Sequence, residues 1–250
     1  MTTPYEKFKA ECNSEIAAQG EDKEFVSLSN QWITEAQKRR YSYHFEWMGR
    51  PIIQYPQDIM AMQELVWKVK PDLIIETGIA HGGSLVFLAS MLELNAQCGG
   101  PVDAKILGID IDIREHNLEA IKAHPMSKRI EMIQGSSIAP EIIAQVAEHA
   151  RGKKTVMVSL DSNHTHAHVL DELKAYAPLT SVGSYCVVFD TVVQDMENDM
   201  FNDRPWGVGD NPKTAVWEYL KTHSEFEIDK SIDDKLMVSV APSGFLKRVA

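Results

Sequence analysis

The sequence predicts an α/β fold: a mostly parallel, doubly wound sheet with an antiparallel C-terminal strand pair and an N-terminal helical arm. Three observations predict it. Short apolar runs that end in acids recur near residues 73–76, 104–112, 155–161 and 184–190. Segments of helical period separate them, an alternation that makes the strands parallel. The first run passes into Gly78-Ile-Ala-His-Gly-Gly-Ser84, a glycine-rich turn before a helical stretch (Leu85, Phe87, Leu88, Met91, Leu92). Such turns sit at the carboxyl end of the first strand of doubly wound sheets, where ligands bind.

In chain order, residues 1–46 read as amphipathic helix. An arm over 1–58 is rich in large aromatics (Trp32, Tyr41, Tyr43, Phe45, Trp47) and precedes a main domain over 59–250. The arm is expected to cap the site, meet another subunit or cover a sheet edge. Gln57 or Asp58 is placed to cap a helix over 59–69, and Pro71 breaks into the first strand. The second strand (104–112) ends in Asp110 and Asp112. A helix over 115–123, a strand over 130–134 and the turn Gly135-Ser136-Ser137 follow, then a helix over 140–150 and the strand 155–161. A helix over 168–176 and a fifth strand, 184–190, come next. The polar stretch 194–214 is long enough for a lid or binding loop. The chain then reads as a helix (215–222), a short strand (226–229) and a hairpin of 236–241 with 245–249.

Composition bounds the function. At 250 residues the chain holds one sizeable α/β domain plus an appendage. Its 44% apolar and 24% charged residues are those of a soluble globular protein. A net charge of −11 argues against nucleic acid or an anionic membrane as principal partner. Lys38-Arg39-Arg40 is the one tight basic cluster and reads as a helix face or end. Cys12, Cys98 and Cys186 share no motif and read as free thiols of a reducing compartment. No apolar stretch approaches the roughly 18 residues of a membrane span, so the expected setting is cytoplasmic.

The turn's spacing separates two cofactor classes. A dinucleotide fingerprint places a glycine where Ala80 stands, and Glu76 at the strand end is a poor neighbour for a pyrophosphate. An acid there suits a ligand with a positive end and no phosphates, a description that S-adenosylmethionine fits. Glu76, Gly78, Ala80, Gly82, Gly83 and Ser84 are the expected cofactor contacts at this turn. Asp110 is expected on the ribose hydroxyls, Ser136 near the adenine, and Asp161 as a further cofactor contact.

The chemistry is expected from Leu160-Asp-Ser-Asn-His-Thr-His-Ala-His168. Asp161 and Asp190 end neighbouring strands, and two carboxylates there make a good Mg²⁺ site. His164 is the candidate base. His168 lies four residues on and is expected on the same helical face, with His166 pointing elsewhere. Two histidines and a carboxylate also describe an iron oxygenase, though on a jelly-roll-like scaffold. A non-catalytic cofactor-binding protein is the other alternative.

Together, Ile75–Ser84, Leu160–Val169, Val188-Phe-Asp-Thr191 and Ala241-Pro-Ser-Gly-Phe-Leu-Lys-Arg248 resemble the cephalosporin hydroxylase family, from about Trp47 onward. Despite that name, its members resemble S-adenosylmethionine-dependent O-methyltransferases of the Rossmann type, related to rhamnosyl and macrolide-sugar O-methyltransferases. The resemblance implies a Rossmann-like class I methyltransferase fold, Mg²⁺ on Asp161 and Asp190, His164 as base, a homo-oligomer and a small-molecule acceptor such as a sugar. Some relatives carry a Glu-Asp pair where this chain has Phe189-Asp190, leaving Thr191 or water to complete the ligands. Tyr55, Thr191, Arg204 and Trp206 are the expected acceptor contacts.

Overall fold

A computed structural model describes residues 2–250. The arm forms two helices, α1 (Pro4–Glu21) and α2 (Lys23–Lys38). Thr3 and Glu6 close a capping box on α1, and Asp22 accepts the Glu24 and Phe25 amides at the start of α2. A hairpin of β1 (Phe45–Trp47) and β2 (Arg50–Ile52) follows, with Met48 and Gly49 at positive φ in the turn. Helix α3 (Pro56–Val69) starts at Pro56 with Tyr55 as N-cap. Asp58 therefore does not open the helix, contrary to the sequence reading. Its carboxylate is fully buried and accepts Ser239 Oγ (2.6 Å) and the Val240 amide (3.0 Å), tying α3 to a distant loop. Burial pushes its pKa up to about 7.

Strands and helices then alternate: β3 (Leu73–Thr77), α4 (Gly83–Gln97), β4 (Lys105–Asp110), α5 (Glu115–Ala123), β5 (Ile130–Gln134) and α6 (Pro140–Ala150). They continue as β6 (Val156–Leu160), α7 (His166–Tyr176), β7 (Tyr185–Val188), α8 (Pro212–Tyr219), β8 (Phe226–Ile228), α9 (Lys230–Leu236) and β9 (Phe245–Arg248). The seven-stranded sheet has the order β5-β4-β3-β6-β7-β9-β8. β3 is parallel to both β4 and β6, and β9 runs antiparallel between β7 and β8. Strand order reverses between β3 and β6, so their carboxyl ends open a crevice.

The antiparallel pair exists, but its members differ from the expected hairpin. β9 pairs with the short strand β8, placing Phe226 opposite Arg248. Residues 237–241 lie in a loop after α9: Met237 takes φ +59°, and Ser239 and Val240 bond to Asp58 instead of a strand. Their apolar character reflects burial under the sheet, since Val240 and Ala241 are core residues.

The sheet buries both faces, as a parallel sheet must. One face (Ile74, Ile106, Met157, Val187) packs under α3, α4 and the arm residues Ile33, Ala36, Ile52 and Tyr55. The other (Ile75, Leu107, Val158, Cys186) packs against Val146, Leu173 and Val216 of α6, α7 and α8. Each such side chain contributes roughly 1.5–3 kcal/mol, so the arm is bound into the main core. Among the described residues no helix is long and apolar enough to cross a membrane.

Candidate active site

Glu76, the last but one residue of β3, is only 2% exposed, and Ser84 Oγ donates to its Oε1 at 2.5 Å. Burial pushes its pKa up to about 8, against the lowering effect of the serine. The turn beyond it is shaped by two close backbone approaches. A Cβ on Gly78 (φ +89°) would lie 2.0 Å from the Asp161 carbonyl oxygen, and one on Gly83 would lie 2.1 Å from that of Pro51. Gly78→Ala is thus expected to cost about 2–4 kcal/mol in urea unfolding. Gly152→Ala, at φ +77° with nothing within 4 Å, should cost only the about 1–2 kcal/mol of its left-handed backbone.

Asp110, at the end of β4, is held by backbone amides. Its Oδ2 accepts the Ile79 (2.8 Å) and Ala80 (3.3 Å) amides, and its Oδ1 accepts the Asp112 amide. It braces the glycine turn; with Oδ2 taking two amides and Oδ1 one, a lone pair on Oδ1 is left for a ligand. Asn117 and Arg50 complete the brace by donating to the Ala80 and His81 carbonyls. Gly82, at φ +80°, is the N-cap of α4. Ser136 is half-buried after β5 and accepts the Ala139 amide through its backbone.

At the next strand end the Asp161 amide donates to the Thr77 carbonyl (3.0 Å), fixing Asp161 beside the turn. Asn163 Oδ1 accepts both the amide and hydroxyl of Thr165, an Asx turn that precedes α7. His164 sits in that turn and not on the helix, so it shares no helical face with His168. The three histidines diverge. His164 Nε2 lies 3.2 Å from Asp190 Oδ2. The His166 amide donates to Asp210 Oδ1 (2.6 Å), and its ring contacts Thr214 and Glu218. His168 Nε2 lies 3.1 Å from Ser137 Oγ and 3.5 Å from buried Glu172.

Asp190 takes a left-handed backbone (φ +54°) just after β7. Ligand atoms of Asp161, His164 and Asp190 all lie within 4.8 Å of one another. Burial first, then Asp190, Glu76, Glu172 and Asp58 in turn, hold the Asp161 carboxyl well above the usual carboxylate range. Among the described residues, His164 is the only ion-pair partner of these two aspartates. A crowded pair of hard oxygen donors without a lysine or arginine fits a divalent cation such as Mg²⁺.

The cluster faces the glycine turn across a cavity of about 310 Å³, whose walls include Gly78, Ala80, Gly83, Ser84, Asp161, His164, Asp190, Arg204 and Trp206. Trp206 stands edge-on to His164, ring centroids 4.7 Å apart. Two expected acceptor contacts lie elsewhere. Tyr55 is completely buried, packed edge-on against Trp32 and Tyr41. Thr191 is also buried, and its hydroxyl donates to the Pro242 carbonyl (2.8 Å), so it does not stand in for a missing metal ligand. The sequence reading missed Gln37, Ser42, Tyr43, Gln54 and Phe201, which also line the cavity. The aromatic content of the arm was the signal for Tyr43, and the long 194–214 stretch the signal for Phe201. The 194–211 stretch is tied to itself: Gln194 Oε1 accepts the Gly209 amide (3.0 Å) and Asn211 Nδ2 (2.6 Å).

The strand order, with its single antiparallel strand next to the edge, and the crevice at the switch point define the fold of class I methyltransferases. The chain belongs to the rhamnosyl O-methyltransferase/CmcI family, whose model matches residues 39–249. It is 30% identical over 211 residues to the rhamnosyl O-methyltransferase of Mycobacterium tuberculosis (strain ATCC 25618 / H37Rv), covering 81% of this chain and 77% of that protein. The rhamnosyl O-methyltransferase of Mycobacterium leprae (strain TN) is likewise 30% identical, over 81% and 82% of the two chains. Among solved structures, CmcI with Mg and SAM superposes with a TM-score of 0.57 at 21% identity, over 83% of this chain and 78% of that one. An O-methyltransferase from Bacillus cereus in complex with SAH gives 0.51 at 12% identity, over 80% and 81%.

Proposed function

We propose that the protein is an S-adenosylmethionine-dependent, Mg²⁺-assisted O-methyltransferase acting on a hydroxyl of a sugar or glycosylated small molecule. The observation that carries this reading is the Asp161–His164–Asp190 cluster facing a glycine turn across one cavity. The mycobacterial relatives, both rhamnosyl O-methyltransferases, support the sugar.

When bound, S-adenosylmethionine supplies an electrophilic methyl group, and Mg²⁺ lowers the pKa of a hydroxyl beside it. Asp161 and Asp190 would hold the cation. Glu76, with the backbone of Gly78 and Ala80 and the α4 start at Gly82, Gly83 and Ser84, would hold the charged amino-acid end of the cofactor. Asp110 and Ser136 would take its nucleoside. His164 accepts the acceptor's proton, its ring steadied by Asp190 and Trp206. Arg204 and Trp206 form the acceptor wall. Orientation of the two reactants in one cavity supplies much of the rate.

The iron-dependent hydroxylase reading needs two histidines and one carboxylate; this cluster has one histidine and two carboxylates. A homo-oligomer and a cytoplasmic setting complete the proposal. Phe8, Phe25, Leu28 and Trp32 of α1 and α2 are exposed and give an apolar face for a second copy.

Calorimetry with S-adenosylmethionine, with and without Mg²⁺, followed by methyl transfer to a panel of rhamnosides and other sugars, tests the reading. Binding of the cofactor and Mg²⁺-stimulated transfer are expected. No affinity for S-adenosylmethionine, or turnover of 2-oxoglutarate instead, would overturn it.

A further inference from the structure

Gln54 is a polar side chain that the reaction above leaves idle. It lies between β2 and α3, on the segment whose Pro51 carbonyl crosses Gly83 at the start of α4. It is only 4% exposed, and its Oε1 has no hydrogen-bond partner among the described residues. Burying an unpaired amide oxygen costs folding free energy that an apolar side chain of similar size does not. Its neighbours Tyr55 and Gln57 also carry unpaired buried oxygens, yet neither lines the cavity. Gln54 does, in company with Asp161, His164 and Asp190.

The chemistry of the group narrows its ligand. A carboxamide offers an acceptor and a donor side by side. A cofactor carboxylate only accepts and leaves Oε1 unpaired, while the cofactor's ammonium and ribose hydroxyls are already assigned to Glu76 and Asp110. An alcohol hydroxyl does both and so satisfies either orientation of the amide. We propose that Gln54 is a specificity-determining residue that binds a second hydroxyl of the acceptor, next to the one His164 deprotonates. The acceptor is accordingly a vicinal diol, as sugars present. This rests on the O-methyltransferase reading.

The test uses methyl α-L-rhamnopyranoside and its monodeoxy derivatives with the full chain, S-adenosylmethionine and Mg²⁺. For the wild type, loss of the hydroxyl beside the methylated one is expected to lower kcat/KM by about 10–100-fold. In Gln54→Leu the parent sugar and that derivative should become nearly equal, through a raised KM for the parent. Affinity for S-adenosylmethionine should stay unchanged. The melting temperature should rise by about 2–4 °C as the unpaired oxygen is removed, whereas a structural glutamine would lower it. Gln54→Met serves the same purpose should the leucine variant fail to fold.

Persisting discrimination in the variants would overturn the assignment, as would a tenfold loss of cofactor affinity. Wild-type protein that transfers methyl to no sugar defeats the enzymatic reading before any variant is made, and the role of Gln54 with it.

Discussion

His164→Ala is expected to lower kcat by about 10²–10⁴-fold, with the affinities for S-adenosylmethionine and Mg²⁺ unchanged. Its Nε2 lies 3.2 Å from Asp190 and its ring stands edge-on to Trp206, so it is held at the cavity wall by contacts the variant lacks. The same geometry allows a second role, as a third metal ligand. The two roles part in one titration. A base leaves Mg²⁺ affinity intact when removed, whereas a ligand takes much of that affinity with it. Unchanged turnover would rule out both.

Glu76→Gln should produce opposite changes in stability and binding. With its carboxyl pushed up to about 8 by burial, folded Glu76 retains a proton that the unfolded chain has already released above its ordinary value of 4.5. The native state thus binds more protons between those two values, and stability falls as pH rises through that window. Glutamine removes the penalty and keeps an oxygen for the Ser84 hydroxyl. Stability at pH 8 should rise by a few kcal/mol in urea unfolding, and its decline with pH should flatten. Cofactor affinity should fall at least tenfold, because a neutral amide does not balance an ammonium. In the wild type, binding near neutral pH should release a proton, seen as a dependence of the calorimetric heat on buffer ionisation enthalpy. A variant that binds S-adenosylmethionine as tightly as the wild type would remove Glu76 from the cofactor site.

Much of the sheet was legible because buried parallel strands leave an unmistakable residue pattern. Ile74 and Ile75, or Met157 and Val158, face opposite layers, so the run is apolar throughout. Acids at the strand ends then mark the crevice. What failed to read out was tertiary in origin. Val238–Ala241 has the composition of a strand, yet the Val240 amide and the Ser239 hydroxyl serve Asp58, nearly two hundred residues away in sequence. Asp58 itself looked like a helix cap because caps and buried tertiary anchors use the same carboxylate chemistry. His164 and His168 have helical spacing, but the Asx turn at Asn163 starts the helix after His164. Gln54 carries no local signal at all, and Tyr43 only its place in an aromatic arm: packing of the arm onto α4 brings both to the cavity.

The division of the cavity walls sets how readily acceptor preference can change. Groups expected on the cofactor ride on strand ends and the α4 start, held by the shared core. Those facing the acceptor come from two connecting regions, 37–54 and 194–206, which contribute no strand to the main sheet. Loops on a rigid scaffold tolerate exchange. Grafting both regions together from a relative, with Arg50 retained to brace the glycine turn, is therefore a route to new sugar selectivity that leaves the methyl-transfer machinery in place; grafting one alone would join mismatched halves of a wall.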